Sequence, residues 1–129
     1  MDQEVLVSQL QKLAKTLEKK AGPVALFMLL APDVQTEDAW NLIVSARGLD
    51  EKSRASAIKQ LTEWLREQVD KPHWRRIARV TVLRTDDPFV KALNRAFRAK
   101  RYVVNIESVK VFGVEIPKAI LLQSNKVAA

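Results

Sequence analysis

The sequence has no cysteine, one histidine and only three glycines among its 129 residues, and each shortage excludes a class of site. Without cysteine there is no disulfide framework, thiolate metal centre or catalytic thiol. The glycines at positions 22, 48 and 113 cannot form the dinucleotide-binding turn G-x-G-x-x-G or the phosphate-binding loop G-x-x-x-x-G-K-S/T. His73 is the only imidazole, which excludes zinc sites built on two histidines, and we interpret it as a surface or capping residue. We therefore expect no catalytic residues, no metal and no cofactor.

The sequence also lacks a long hydrophobic run. Its apolar stretch at 24–31 has about eight residues, whereas about 20 are needed to cross a bilayer as a helix. Residues 1–4 are acidic and lack the basic start and apolar centre of a secretory signal. We therefore expect a cytoplasmic protein with no membrane partner. With 47% apolar and 29% charged residues, the chain is predicted to form one domain over residues 1–129, with a frayed tail at 124–129.

Two apolar runs, 24–31 and 39–46, predict the centre of the fold. The first run is apolar on both faces and short, a pattern typical of a buried strand, and the second follows seven residues later. The segment between them, 32–38, is polar and begins with proline, as a surface connection does. We expect a central antiparallel pair of strands on which the other elements pack.

One helix is predicted before this pair of strands and another after it. Leucines at positions 6, 10, 13 and 17 recur with a helical period and predict a first helix over 2–21, which Gly22-Pro23 ends. A second helix is predicted after an N-cap at Asp50, and Pro72 is expected to end it. Its apolar stripe consists of positions 58, 61, 65 and 69.

The rest of the sequence predicts further strands and one more helix. Alternation of apolar and polar residues predicts a third strand over 78–84, and Asp87-Pro88 predicts the start of a third helix. Strands are also predicted at 102–112 and 114–116, while 117–122 fits either a helical turn or a strand. The predicted fold is a single α+β domain with a mixed or antiparallel sheet of four to five strands. About three helices pack mainly on one face, in the order α-β-β-α-β-α-β-β.

Positive charge is concentrated in the second half of the sequence. Residues 1–70 carry a net charge of −2 and residues 71–129 carry +9. Lys91, Arg95 and Arg98 recur at helical spacing with no acid among them. If the third strand and third helix are neighbours, their cations form one surface for phosphate oxygens, with Trp74 or Tyr102 available to stack on a base. The candidate binding residues are Arg75, Arg76, Arg79, Arg84, Lys91, Arg95, Arg98 and Arg101. The alternative interpretation is a solvated face that keeps the protein soluble.

Three pairs of adjacent acids are the remaining candidates for chemistry: Glu37-Asp38, Asp50-Glu51 and Asp86-Asp87. Paired carboxylates can hold Mg²⁺ or transfer protons, but neighbours in sequence point in different directions, and such a site needs ligands from separate elements. Two of the pairs stand where helices are predicted to start. We therefore interpret those two pairs as helix caps.

The element order resembles that of small nucleotidyltransferase-fold domains over most of residues 3–112. Residues 39–44 resemble the strand that carries Asp-x-Asp in that family, and 78–83 resemble its third strand. In the family, the acids of these strands hold Mg²⁺ for nucleotidyl transfer. Here Ala39 and Asn41 stand where the two metal-binding acids would be, residues 27–30 contain no Gly-Ser, and Arg79 or Thr81 replaces the third acid. The resemblance therefore implies a catalytically silent domain.

The sequence favours a non-enzymatic binding module whose basic surface meets an anionic partner such as nucleic acid. One alternative is a nucleotidyltransferase-like enzyme whose acids come from other places, such as Asp38, Asp86 and Asp87. Another is a homodimer or other homo-oligomer formed through an exposed edge strand such as 102–112.

Overall fold

The computed structural model describes residues 2–33, 39–99 and 102–125. These residues form one α+β domain with four helices and five strands. The elements are α1 (Asp2–Ala21), β1 (Val24–Ala31), β2 (Trp40–Ala46), a 3₁₀ turn (Arg47–Leu49), α2 (Arg54–Gln68), α3 (Lys71–Trp74), β3 (Ile77–Val82), α4 (Pro88–Ala96), β4 (Val104–Val111) and β5 (Val114–Ser124). The predicted fold class and element order are confirmed, and the structure adds the short α3.

The five strands form a mixed sheet in the order β3-β2-β1-β5-β4. β1 is central and pairs antiparallel with both β2 and β5, so that Leu29 lies between Leu42 and Ile120. β3 runs parallel to β2. The connection between the two strands contains α2, which returns the chain to the end of the sheet at which β2 begins. The segment 117–122 is a strand, which decides between the two alternatives that the sequence left open.

Helices cover both faces of the sheet, which explains why β1 is apolar on both of its sides. Phe27 and Leu29 of β1 belong to the core beneath α1 and α2. Leu26 and Met28 face the other way and pack in a second core with Val90 and Leu93 of α4. Most helices lie on one face, as predicted, and α4 alone covers the other.

Local signals in the sequence account for the end of α1 and the start of α4, whereas Pro72, expected to end α2, lies within α3. The leucine stripe of α1 is fully buried, and the helix ends before Gly22, whose φ of +74° is a left-handed conformation that favours glycine. Asp87 caps α4 and Pro88 occupies its first turn, as predicted. None of the helices in the described ranges is long and apolar enough to span a membrane.

The predicted N-cap of α2 is wrong. The 3₁₀ turn extends the connection after β2, so α2 begins only at Arg54 and its cap is Ser53, whose side chain accepts a hydrogen bond from the Ser56 amide. The Asp50 carboxylate instead accepts hydrogen bonds from the Thr85 amide (2.9 Å) and hydroxyl. Asp50 therefore ties the end of β2 to the segment that follows β3.

The β4–β5 hairpin places an aromatic side chain at its tip. Phe112 and Gly113 have φ values of +49° and +76°, as the two central residues of a type I′ turn require. Phe112 is 64% exposed. β4 is an edge strand, but the left-handed backbone of Ser108 (φ +51°) and the exposed charged residue Glu107 oppose pairing with another edge. The homodimer through an exposed edge strand stays a prediction.

The end of β5 belongs to the folded domain. Ser124 is buried, and the Asn125 amide donates to the Ala25 carbonyl oxygen (3.0 Å). The predicted frayed tail therefore does not include residues 124 and 125, and residues 126–129 lie outside the described part of the chain.

A buried polar network fixes α4 to the sheet. Asn94 Nδ2 donates to the Ala25 carbonyl oxygen and to Ser124 Oγ, both at 3.0 Å. Ser124 Oγ in turn donates to the Phe97 carbonyl oxygen at 2.9 Å. Ser45, on β2, is also fully buried, but its hydroxyl has no hydrogen-bond partner among the described residues.

The two buried serines are expected to respond in opposite directions to the same substitution. Ser45→Ala should raise the free energy of unfolding by about 1 kcal/mol, because it removes an unsatisfied hydroxyl. Ser124→Ala should lower it by about 1–3 kcal/mol, because it removes one of the two hydrogen bonds of Asn94 Nδ2 and the bond that the Phe97 carbonyl oxygen accepts. Urea denaturation of both variants measures the difference, and shifts in the same direction would contradict this description of the network.

Candidate functional site

The outer face of α4 carries exposed cations. Val90, Leu93 and Asn94 are the buried residues of this helix, so Lys91 and Arg95, four residues apart, point to solvent. Arg98 follows just beyond the helix end and is also exposed. Within the described ranges, none of these three side chains makes a hydrogen bond or an ion pair. They remain available to an external anion.

An exposed aromatic side chain follows these cations in the sequence. Tyr102 is 82% exposed and stands four residues after Arg98, so the two Cα atoms are at most about 14 Å apart. Trp74, the other aromatic candidate, is half-buried against the core beneath α1 and α2, and the Arg66 guanidinium lies 5.3 Å from its ring centroid. Of the two, Tyr102 is therefore the one free to stack on a base. We call Lys91, Arg95, Arg98 and Tyr102 the α4 surface.

The other predicted basic residues lie at different places on the sheet. Arg75 and Arg76 precede β3, whereas α4 follows it, so about 20 Å of strand separates the two groups. Arg79 lies in the middle of β3, opposite Asn41, on the sheet face that α4 covers. Arg101 lies outside the described residues. The structure thus brings only part of the predicted set together.

Arg84 is already engaged within the protein. Its Nε lies 3.0 Å from Asp86 Oδ1, and its Nη1 donates to the Asp50 carbonyl oxygen at 2.8 Å. The hydrogen bond from Arg84 lowers the pKa of Asp86 from its ordinary value, and the same bond raises the pKa of Arg84. This cation stabilises the segment between β3 and α4 rather than facing outward unpaired.

The candidate acids that the structure describes do not converge on a metal site. Asp86 pairs with Arg84, and Asp87 Oδ1 accepts the Phe89 amide at 2.8 Å as the cap of α4. In the described part of the chain, no group of three or more His, Asp or Glu residues is placed to hold a metal ion. Asp38 lies outside the described residues.

A cleft at the carboxyl ends of β2 and β3 contains residues that the sequence analysis did not select. Lys52 and Arg54 stand on its rim, and Leu49, Val82 and Leu83 lie along its walls. The only signal in the sequence was the positive charge of Lys52 and Arg54 at the start of α2. That charge did not indicate that the end of β3 forms the opposite wall of the cleft.

Comparisons with protein-family models, with curated proteins and with solved structures found no match to this chain.

Proposed function

We propose that this protein is a non-enzymatic module that binds single-stranded nucleic acid through the α4 surface. The observation that carries the proposal is the exposure of Lys91, Arg95 and Arg98, which make no hydrogen bond or ion pair with a described residue, together with the exposed ring of Tyr102 four residues after Arg98. Lys and Arg side chains bind phosphate oxygens with release of counterions, which supplies affinity without sequence preference. A neighbouring tyrosine adds stacking on a base.

The geometry favours a single strand over a duplex. Stacking on Tyr102 needs a base whose face is free, which a paired and stacked duplex does not offer. Lys91 and Arg95 are about 6 Å apart along α4, and Arg98 follows beyond the helix end, so the three cations span a length suited to a few nucleotides. A cytoplasmic location, where such strands are present, is part of this proposal.

The removal of two cations from α4 tests the proposal. Arg95→Gln with Arg98→Gln should weaken binding of a fluorescein-labelled oligothymidine of about 15 nucleotides. The slope of log K against log salt concentration should become shallower by about 1.4, since each lost phosphate contact contributes about 0.7 for a single strand. Fluorescence anisotropy at several salt concentrations measures both quantities.

The matched control removes the same charge from the opposite side of the molecule. Lys12 and Lys15 are exposed on α1, and Lys12→Gln with Lys15→Gln lowers the net charge equally. Its effect on the slope should be well below that of the α4 variant. Equal effects of the two variants, or no binding at low salt by the unaltered protein, would contradict the proposal. Binding should also persist in EDTA, because no step requires a metal.

A further inference from the structure

The cleft at the carboxyl ends of β2 and β3 has the construction of a small ligand site. Its volume is about 270 Å³, near the lower end of ligand pockets, which begin at about 300 Å³. In sheets with parallel strands, ligands bind where the carboxyl ends of the strands meet the following helices. β2 and β3 are the parallel pair of this sheet, and α2 and α4 follow them.

The walls and the rim of the cleft differ in chemistry. Leu49, Ala57 and Val82 are buried apolar residues of the lining, and Leu83 is half-buried beside them. Charged residues form the remainder: Asp50, Lys52, Arg54, Arg84 and Asp87. A ligand in this cleft would therefore contact apolar side chains with one part and charged groups with another.

Two cations of the cleft have no partner among the described residues, whereas its other charged groups are at least partly engaged. Asp50 accepts from Thr85 through both carboxylate oxygens, and Asp87 accepts from the Phe89 amide. Arg84 is held by Asp86 and by the Asp50 carbonyl oxygen. In contrast, the side chains of Lys52 and Arg54 are exposed and make no hydrogen bond or ion pair with any described residue. The Lys52 ammonium and the Arg54 guanidinium are therefore available to an anion.

We propose that this cleft binds a phosphate monoester carrying a flat, weakly polar group, with a nucleoside monophosphate as the type of ligand. Lys52 and Arg54 hold the phosphate, as Arg and Lys do through charge-assisted hydrogen bonds. The base or an equivalent ring covers the half-buried side chain of Leu83. This site is separate from the α4 surface, and the proposal does not depend on the binding of single strands there.

An NMR titration with AMP, adenosine and inorganic phosphate tests the proposal on the whole chain. AMP should shift the amide signals of Ala57 and Leu83, and it should bind more tightly than adenosine or phosphate alone. Lys52→Ala with Arg54→Ala should weaken AMP binding by at least about 10-fold, because two charge-assisted contacts are lost. Both side chains are exposed, so the double variant is expected to fold normally.

Variants of the α4 surface separate this site from the one proposed above. Arg95→Gln with Arg98→Gln should leave AMP binding unchanged, even though it weakens oligothymidine binding. The inference is overturned if AMP shifts no signal of the cleft, if the shifts survive loss of Lys52 and Arg54, or if adenosine binds as tightly as AMP. Failure of AMP to bind would leave the result with oligothymidine unaffected, so the two proposals fail independently.

Discussion

Replacing Phe27 with alanine is expected to lower the free energy of unfolding by about 3–5 kcal/mol. Phe27 is fully buried on the central strand β1, between Val44 of β2 and Gln123 of β5. Its side chain packs in the core beneath α1 and α2, and such a core closes only partly over the cavity that the substitution leaves. Urea denaturation monitored by far-UV circular dichroism gives the change in the free energy of unfolding.

Phe112 provides the matched control, because the same side chain is removed from an exposed position. Phe112→Ala at the hairpin tip is expected to change the free energy of unfolding by no more than about 0.5 kcal/mol. A similar loss for both variants, or a small loss for Phe27→Ala, would show that β1 is not the centre of the core.

Removal of the Tyr102 ring is expected to reduce the affinity for oligothymidine by about 5- to 100-fold, which corresponds to one stacked base. The exposed ring makes no contribution to either core, so the variant should retain its stability. Tyr102→Phe keeps the ring and should bind like the unaltered protein. Neither variant changes the charge of the protein, so anisotropy titrations at one fixed salt concentration measure the loss of stacking alone.

A second exposed aromatic residue controls for nonspecific stacking. Phe112 is also exposed but lies at the far end of β4 from Tyr102, about 26 Å away along the strand. Phe112→Ala should leave oligothymidine binding unchanged. Equal losses for Phe112→Ala and Tyr102→Ala would place the nucleic acid elsewhere, and no loss for either would remove Tyr102 from the site.

The elements that the sequence predicts well are those set by local patterns. The leucine stripe of α1, the apolar run of β1 and the Asp87-Pro88 start of α4 each contain their own signal, and the structure confirms all three. The segment after Pro117 stayed open between helix and strand, because its apolar residues fit either. Its pairing with β1, about 90 residues earlier, decides the outcome, and such long-range pairing leaves little trace in local sequence.

The candidate sites were predictable to a smaller extent, for the same reason. The four-residue spacing of Lys91 and Arg95 in the sequence predicts that both lie on one helix face, and the structure places both in solvent. The separation of Arg75 from α4 depends on the direction of β3, which the sequence did not determine. The cleft was not foreseen because it joins Arg54 to Leu83, residues that only the parallel pairing of β2 and β3 brings together.

The position of β5 in the sheet has a consequence for synthesis of the chain. β5 is the last strand in the sequence, yet it lies between β1 and β4. On the ribosome, one edge of β1, the most apolar strand, therefore stays open until residues 114–124 have emerged. An open apolar edge pairs readily with other chains, so a nascent polypeptide stalled before this point exposes its most aggregation-prone segment.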